Sequence, residues 1–91
     1  MRSQRREVWF SGRVQGVGFR YTTHRLAANF DVTGFVENLP DGRVHLLVEA
    51  PPQETSAFVD AICQKMQANI VDLDQTTLAA THEFESFEIR R

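Results

Sequence analysis

Gly12, Gly16 and Gly18 stand between a stretch that alternates and a stretch with helical spacing, and this placement restricts the chain more than any other feature. Val8, Phe10, Gly12 and Val14 recur at every second position, so Glu7 to Val14 is expected as a strand with Trp9, Ser11 and Arg13 on its other face. From Phe19 to about Phe30 a helix is expected, with Leu26, Ala27 and Phe30 as its inner stripe and Arg25 and Asn29 outward. Gly12, inside the strand, marks a place where other atoms approach the backbone closely. A glycine loop feeding a helix N-terminus can aim several backbone N–H groups at one point. Arg20 adds a planar, permanently charged fork, and the matching guest is a tetrahedral anion such as phosphate. By pattern alone, a tight structural turn accounts for the glycines as well as an anion cradle does. The position of Arg20 favours the cradle: a cation in a first helical turn faces the positive end of the helix dipole unless an anion intervenes.

The remaining chain supplies the scaffold. Thr33 to Asn38 reads as a second strand, and Leu39-Pro40-Asp41-Gly42 has the chemistry of a chain reversal. Arg43 to Ala50 then alternates, with Val44, Leu46 and Val48 inward and Arg43, His45, Leu47 and Glu49 outward. Pro51-Pro52 opens a second helix, in which Phe58, Ala61, Ile62, Lys65 and Met66 recur at spacings of three and four. Ile70, Val71, Leu73 and Leu78 suggest a further strand, and Phe84, Phe87 and Ile89 a short final one, without sharp limits. The order is that of an α+β ferredoxin-like sandwich: βαββαβ plus a short terminal strand, with two helices on one face of a mostly antiparallel sheet. Residues 1–91 are expected as one domain, with 1–6, rich in arginine, as a flexible tail.

Composition removes several classes of function. A net charge of −2 argues against a nucleic-acid binder. The third strand has no aromatic residue on which a base could stack, which sets an RNA-binding sheet aside. A single cysteine, Cys63, excludes an internal disulfide and any site of several thiolates. No apolar run approaches transmembrane length and no signal-peptide stretch follows the basic N-terminus, so no membrane partner and a cytoplasmic location are expected. Gly16-Val17-Gly18 lacks the third glycine of a dinucleotide fingerprint, position 21 being Tyr, and no Gly-Lys-Ser/Thr is present for a P-loop. His24, His45 and His82 show no ligand spacing and are expected as solvated surface residues. Asn38 precedes the reversal, where an asparagine commonly bonds its own backbone, and that is its simplest account in isolation.

Taken together, Gly12-Arg13-Val14-Gln15-Gly16-Val17-Gly18-Phe19-Arg20, Ala27, Gly34-Phe35-Val36-Glu37-Asn38 and the Asp41-Gly42 turn resemble the acylphosphatase family. The resemblance spans nearly the whole chain and is strongest over 8–50. It implies a hydrolase that cleaves acyl phosphates to a carboxylate and inorganic phosphate without metal or cofactor. Arg20 then matches the catalytic arginine that binds phosphate, Asn38 the asparagine that holds the attacking water, and the backbone N–H groups of Gln15, Gly16, Val17, Gly18 and Phe19 the phosphate cradle. The chain departs from the family at Asp31, where a glycine commonly closes the first helix, and at Phe35, where tryptophan is frequent. A left-handed Asp31 would be strained. The alternative reading is a non-catalytic anion-binding module of the same fold. The only partner implied is a small acyl phosphate, and a monomer is the simplest expectation.

Overall fold

The computed structural model describes residues 2–91. The elements run β1 (Gln4–Gly12), α1 (Phe19–Ala27), β2 (Thr33–Asn38), β3 (Val44–Ala50), α2 (Pro52–Lys65), β4 (Ile70–Ala79) and β5 (Phe87–Arg90). The sheet order is β4-β1-β3-β2-β5, antiparallel throughout except where β5 joins β2 in parallel. Both helices pack on one face, and the fold is the expected ferredoxin-like α+β sandwich. Its core joins Val8, Phe10, Val36, Val44, Leu46 and Val48 of the central strands to Phe19 and Ala27 of α1 and Phe58, Val59 and Ile62 of α2. No helix among the described residues is long and apolar enough to cross a membrane.

Close backbone approach fixes two glycines. At Gly12 the β1–β4 register shifts, φ is +124°, and a Cβ would collide with the Asn69 carbonyl oxygen. At Gly34 φ is +133°, and a Cβ would strike the Leu47 carbonyl oxygen on β3. Neither position accommodates a side chain without moving a neighbouring strand.

Several expectations require correction. Residues 4–6 are not a flexible tail: Gln4, Arg5 and Arg6 pair with Ala50, Glu49 and Val48 on one side and with Ala79, Leu78 and Thr77 on the other. Met1, the first residue of that expected tail, lies outside the described residues. β1 ends at Gly12, not Val14, although Val14 remains fully buried. α1 ends at Ala27 because the amides of Ala28, Asn29 and Phe30 bond three residues back, a tighter turn that uses up the last carbonyls. No left-handed residue closes this helix, since His82 is the only non-glycine of positive φ among the described residues. Asp31 is therefore unstrained, and its amide donates to Glu54 Oε1 at 2.9 Å.

The outer face of β3 is also buried, against expectation. His45 is 8% exposed, Leu47 6% and Glu49 5%. β3 is the central strand, and large side chains of its neighbours close over it. His45 stacks on Trp9 with ring centroids 5.1 Å apart and meets Phe35 edge-on. Its ring nitrogens lie 2.8 Å from Glu37 Oε2 and 2.8 Å from Glu7 Oε1. His45 is thus a clamp across three strands rather than a solvated histidine. Glu49 accepts from Arg5 Nε at 2.9 Å and from the amides of Thr81 and His82 at 2.7 and 2.9 Å. Burial alone would push the Glu49 carboxyl up, but these donors outweigh it and hold it below the usual glutamate range. This carboxylate anchors the irregular segment that leads from β4 to β5. His24 and His82 are exposed, as expected.

Candidate active site

The turn from β1 into α1 is built by its glycines. Gly16 and Gly18 adopt φ of +75° and +77°, whereas Gln15 and Val17 do not have positive φ. Alternating backbone handedness of this kind turns successive N–H groups toward a common concave side. A Cβ at Gly16 or Gly18 would meet nothing within 4 Å, so these positions open onto free space. Gly18 is the N-cap of α1 and contributes no side-chain cap. The first turn of α1 holds no acidic residue and carries Arg20. Among the described residues, the amides of 15 to 19 donate to no protein acceptor. The helix start therefore presents unpaired donors, a positive dipole end and a cation together.

A pocket of about 240 Å³ lies against this turn. Of the residues expected to act, Gly16, Gly18, Phe19, Arg20 and Asn38 line it. Gln15 and Val17 do not; Val17 sits at the exposed tip of the loop. Val14, Tyr21, Ile89 and Arg91 complete the wall.

Arg20 and Asn38, 18 positions apart in sequence, reach one cavity because α1 starts where β1 ends and β2 returns beside β3. The Arg20 Nη1 group donates to the Arg90 carbonyl at 2.9 Å. Among the described residues its other guanidinium N–H groups have no protein acceptor. Nothing in the sequence marked Arg90 for this contact, since a backbone carbonyl on β5 leaves no residue-type signal. Its side chain holds the strand from the other side, stacking over the Phe35 ring at 3.7 Å.

Asn38 closes β2, and among the described residues its side-chain amide makes no hydrogen bond to protein. The turn-starting role belongs to Asp41, whose Oδ1 accepts the Arg43 amide at 3.0 Å and whose Oδ2 accepts Arg43 Nε at 2.8 Å. The simple structural account of Asn38 is thereby removed. The side chain of Gln15 is a further element that residue patterns did not reveal: its Nε2 donates to the carbonyls of Leu39 and Arg43. Among the described residues no group of three or more His, Cys, Asp or Glu side chains is placed to hold a metal ion.

The chain is similar over nearly its full length to known proteins. The sequence model of the family described as Acylphosphatase matches residues 6–89. An acylphosphatase of Archaeoglobus fulgidus is 37% identical over 83 residues, covering 91% of this chain and 93% of the relative. One of Methylococcus capsulatus is 39% identical over 90 residues, covering 97% of each. The crystal structure of acylphosphatase from Bacillus subtilis superposes with a TM-score of 0.86 at 30% identity, covering 97% of this chain and 99% of that one. Family match, identity and shared architecture all extend over nearly the full length, and this chain belongs to the acylphosphatase family of enzymes.

Proposed function

We propose that the pocket holds the phosphoryl group of an acyl phosphate while Asn38 directs a water molecule onto phosphorus. What carries this reading is that Arg20 and Asn38 line one pocket, each with hydrogen-bonding capacity not used by the protein, beside an uncapped helix N-terminus. Phosphoryl transfer through a loose transition state requires charge stabilisation and an in-line nucleophile more than covalent assistance. The amides of Gln15 to Phe19 and the Arg20 guanidinium stabilise the equatorial oxygens, where preorganised donors act without reorganising during the reaction. Arg90 holds Arg20 at one nitrogen and leaves its remaining donors for the phosphate.

Water bound by Asn38 accepts a hydrogen bond from the amide NH2 and donates one to the amide oxygen, which fixes its line of approach. Its oxygen forms the new bond to phosphorus as the bond from phosphorus to the carboxylate oxygen breaks. The bonding pair departs with the carboxylate, and the water proton passes to a phosphate oxygen. A carboxylate is a weak base, its conjugate acid having a pKa of about 4, so the leaving group requires no proton. A strong base is likewise unnecessary, consistent with a pocket wall that contains no His, Asp or Glu.

The test is kinetic. Arg20→Gln should lose both turnover of benzoyl phosphate and inhibition by inorganic phosphate, with the fold retained by circular dichroism. Asn38→Ala should keep phosphate inhibition but lose turnover by about 100-fold or more. Hydrolysis by Asn38→Ala at the parent rate would remove the water-holding role. Phosphate affinity that survived Arg20→Gln would remove the cradle, and a binding module without catalysis would show phosphate affinity but no turnover in the parent protein.

A further inference from the structure

From the hydrogen bonds of Gln15 we infer that its side chain is a positioning residue: it sets the separation between the phosphoryl seat and the water held by Asn38. This rests on the reading of Asn38 given above. The last paired residues of β1 and β3 are Phe10 and Val44. Beyond them the two chains separate, one into the glycine loop and the other into the turn after Asn38. Among the described residues, the only hydrogen-bonded link across that gap is the Gln15 amide. Its Nε2 donates at 2.7 Å to the Leu39 carbonyl and at 2.9 Å to the Arg43 carbonyl.

These two carbonyls also close the turn on itself. The Leu39 oxygen accepts the Gly42 amide at 3.1 Å, and the Arg43 oxygen accepts the Leu39 amide at 2.8 Å. Each carbonyl thus takes two donors, its full complement, and both Nε2 protons are used. Gln15 opens the glycine loop that carries Gly16, Gly18 and Phe19 to the pocket without lining the pocket itself, and Leu39 follows Asn38 directly. One amide therefore ties the phosphate-facing segment to the residue beside the water holder. Displacement of about 1 Å between reacting groups costs on the order of 100-fold in rate, so a brace at this point acts on turnover. Gln15→Met leaves every backbone N–H of the loop and the Arg20 guanidinium in place, so the loss falls on turnover more than on phosphate affinity.

The experiment measures kcat with benzoyl phosphate and the inhibition constant of inorganic phosphate for Gln15→Met, Gln15→Lys, Asn38→Ala and the double variant Gln15→Met with Asn38→Ala. Methionine matches the length of glutamine without a donor, and lysine restores donors of similar reach. The expected result is a kcat loss of about 10- to 100-fold in Gln15→Met, with phosphate inhibition weakened far less. Gln15→Lys recovers most of that loss. In the Asn38→Ala background Gln15→Met costs less than about twofold more, because its effect passes through Asn38. Parent kcat in Gln15→Met, an equal loss in both backgrounds, or a parallel loss of phosphate affinity would overturn the inference. Should Gln15→Met fail to fold, the side-chain amide protons of Gln15 in the parent protein decide by NMR: slow exchange supports the brace, and exchange as fast as an exposed glutamine overturns it. An active Asn38→Ala would instead bring down the underlying reading, and this inference with it. An inactive Asn38→Ala beside a fully active Gln15→Met would overturn this inference alone.

Discussion

Replacing Glu49 by glutamine tests how the long connection between β4 and β5 is held. The carboxylate is 5% exposed and receives Arg5 Nε, the Thr81 amide and the Thr81 hydroxyl at one oxygen and the His82 amide at the other. Glutamine offers one oxygen. If that oxygen stays with Arg5 and Thr81, its NH2 group faces the His82 N–H, donor against donor. Two charge-assisted bonds fall to neutral ones and one buried donor goes unpaired, for a loss of about 2–4 kcal/mol. At roughly 4–8 °C per kcal/mol for a domain of this size, Tm should fall by about 8–32 °C at pH 7. Linkage supplies a second readout. The Glu49 carboxyl is depressed in the folded state, so its stabilisation is complete above the unfolded glutamate value of about 4.3 and disappears as pH falls through the lower folded value. The gap between parent and Glu49→Gln should therefore narrow steeply below about pH 4.3. Asp41, held low by the Arg43 amide, and Glu83, held low by Arg5, are present in both proteins and drop out of the difference to first order. Urea unfolding of both proteins at pH 7 and pH 3 makes the measurement. A gap under about 1 kcal/mol at pH 7, or the same gap at both pH values, would refute the anchoring role.

Two shorter predictions follow from the clamp and from the site. His45→Ala removes the partner of two carboxylates and should destabilise the fold by about 1–3 kcal/mol by urea unfolding, whereas a truly solvated histidine would cost almost nothing. Hydrolysis of acetyl phosphate should survive dialysis against EDTA, and activity restored only by a divalent cation would contradict a reaction run by amides and a guanidinium.

Much of this molecule is written in local chemistry. Gly12 was legible as a close approach, β2 and the Pro-Asp-Gly reversal followed from turn residues, and Arg20 stood out because a cation is misplaced at a helix start. The rest depended on partners distant in sequence. Arg5 reads as a solvated tail until Glu49, 44 positions away, is placed beside it. His45 and Leu47 look outward under strict alternation, and only the central place of β3 buries both its faces. β4 is an edge strand with no buried residue along its length, so it carries no alternation to read. In the site, side chains were recognisable by type, but the two contacts that hold them, the Arg90 carbonyl on Arg20 and the Gln15 amide on the Asn38 turn, involve backbone acceptors that any residue provides.

The central claim is that water attacks a phosphorus atom seated in the β1–α1 turn, and hydrolysis of acetyl phosphate in 18O-labelled water addresses it most directly. Mass spectrometry of the products should find the label in inorganic phosphate and none in acetate. Label in the acetate would mean attack at the carbonyl carbon, which an oxyanion cradle around phosphorus and a water held by Asn38 do not produce.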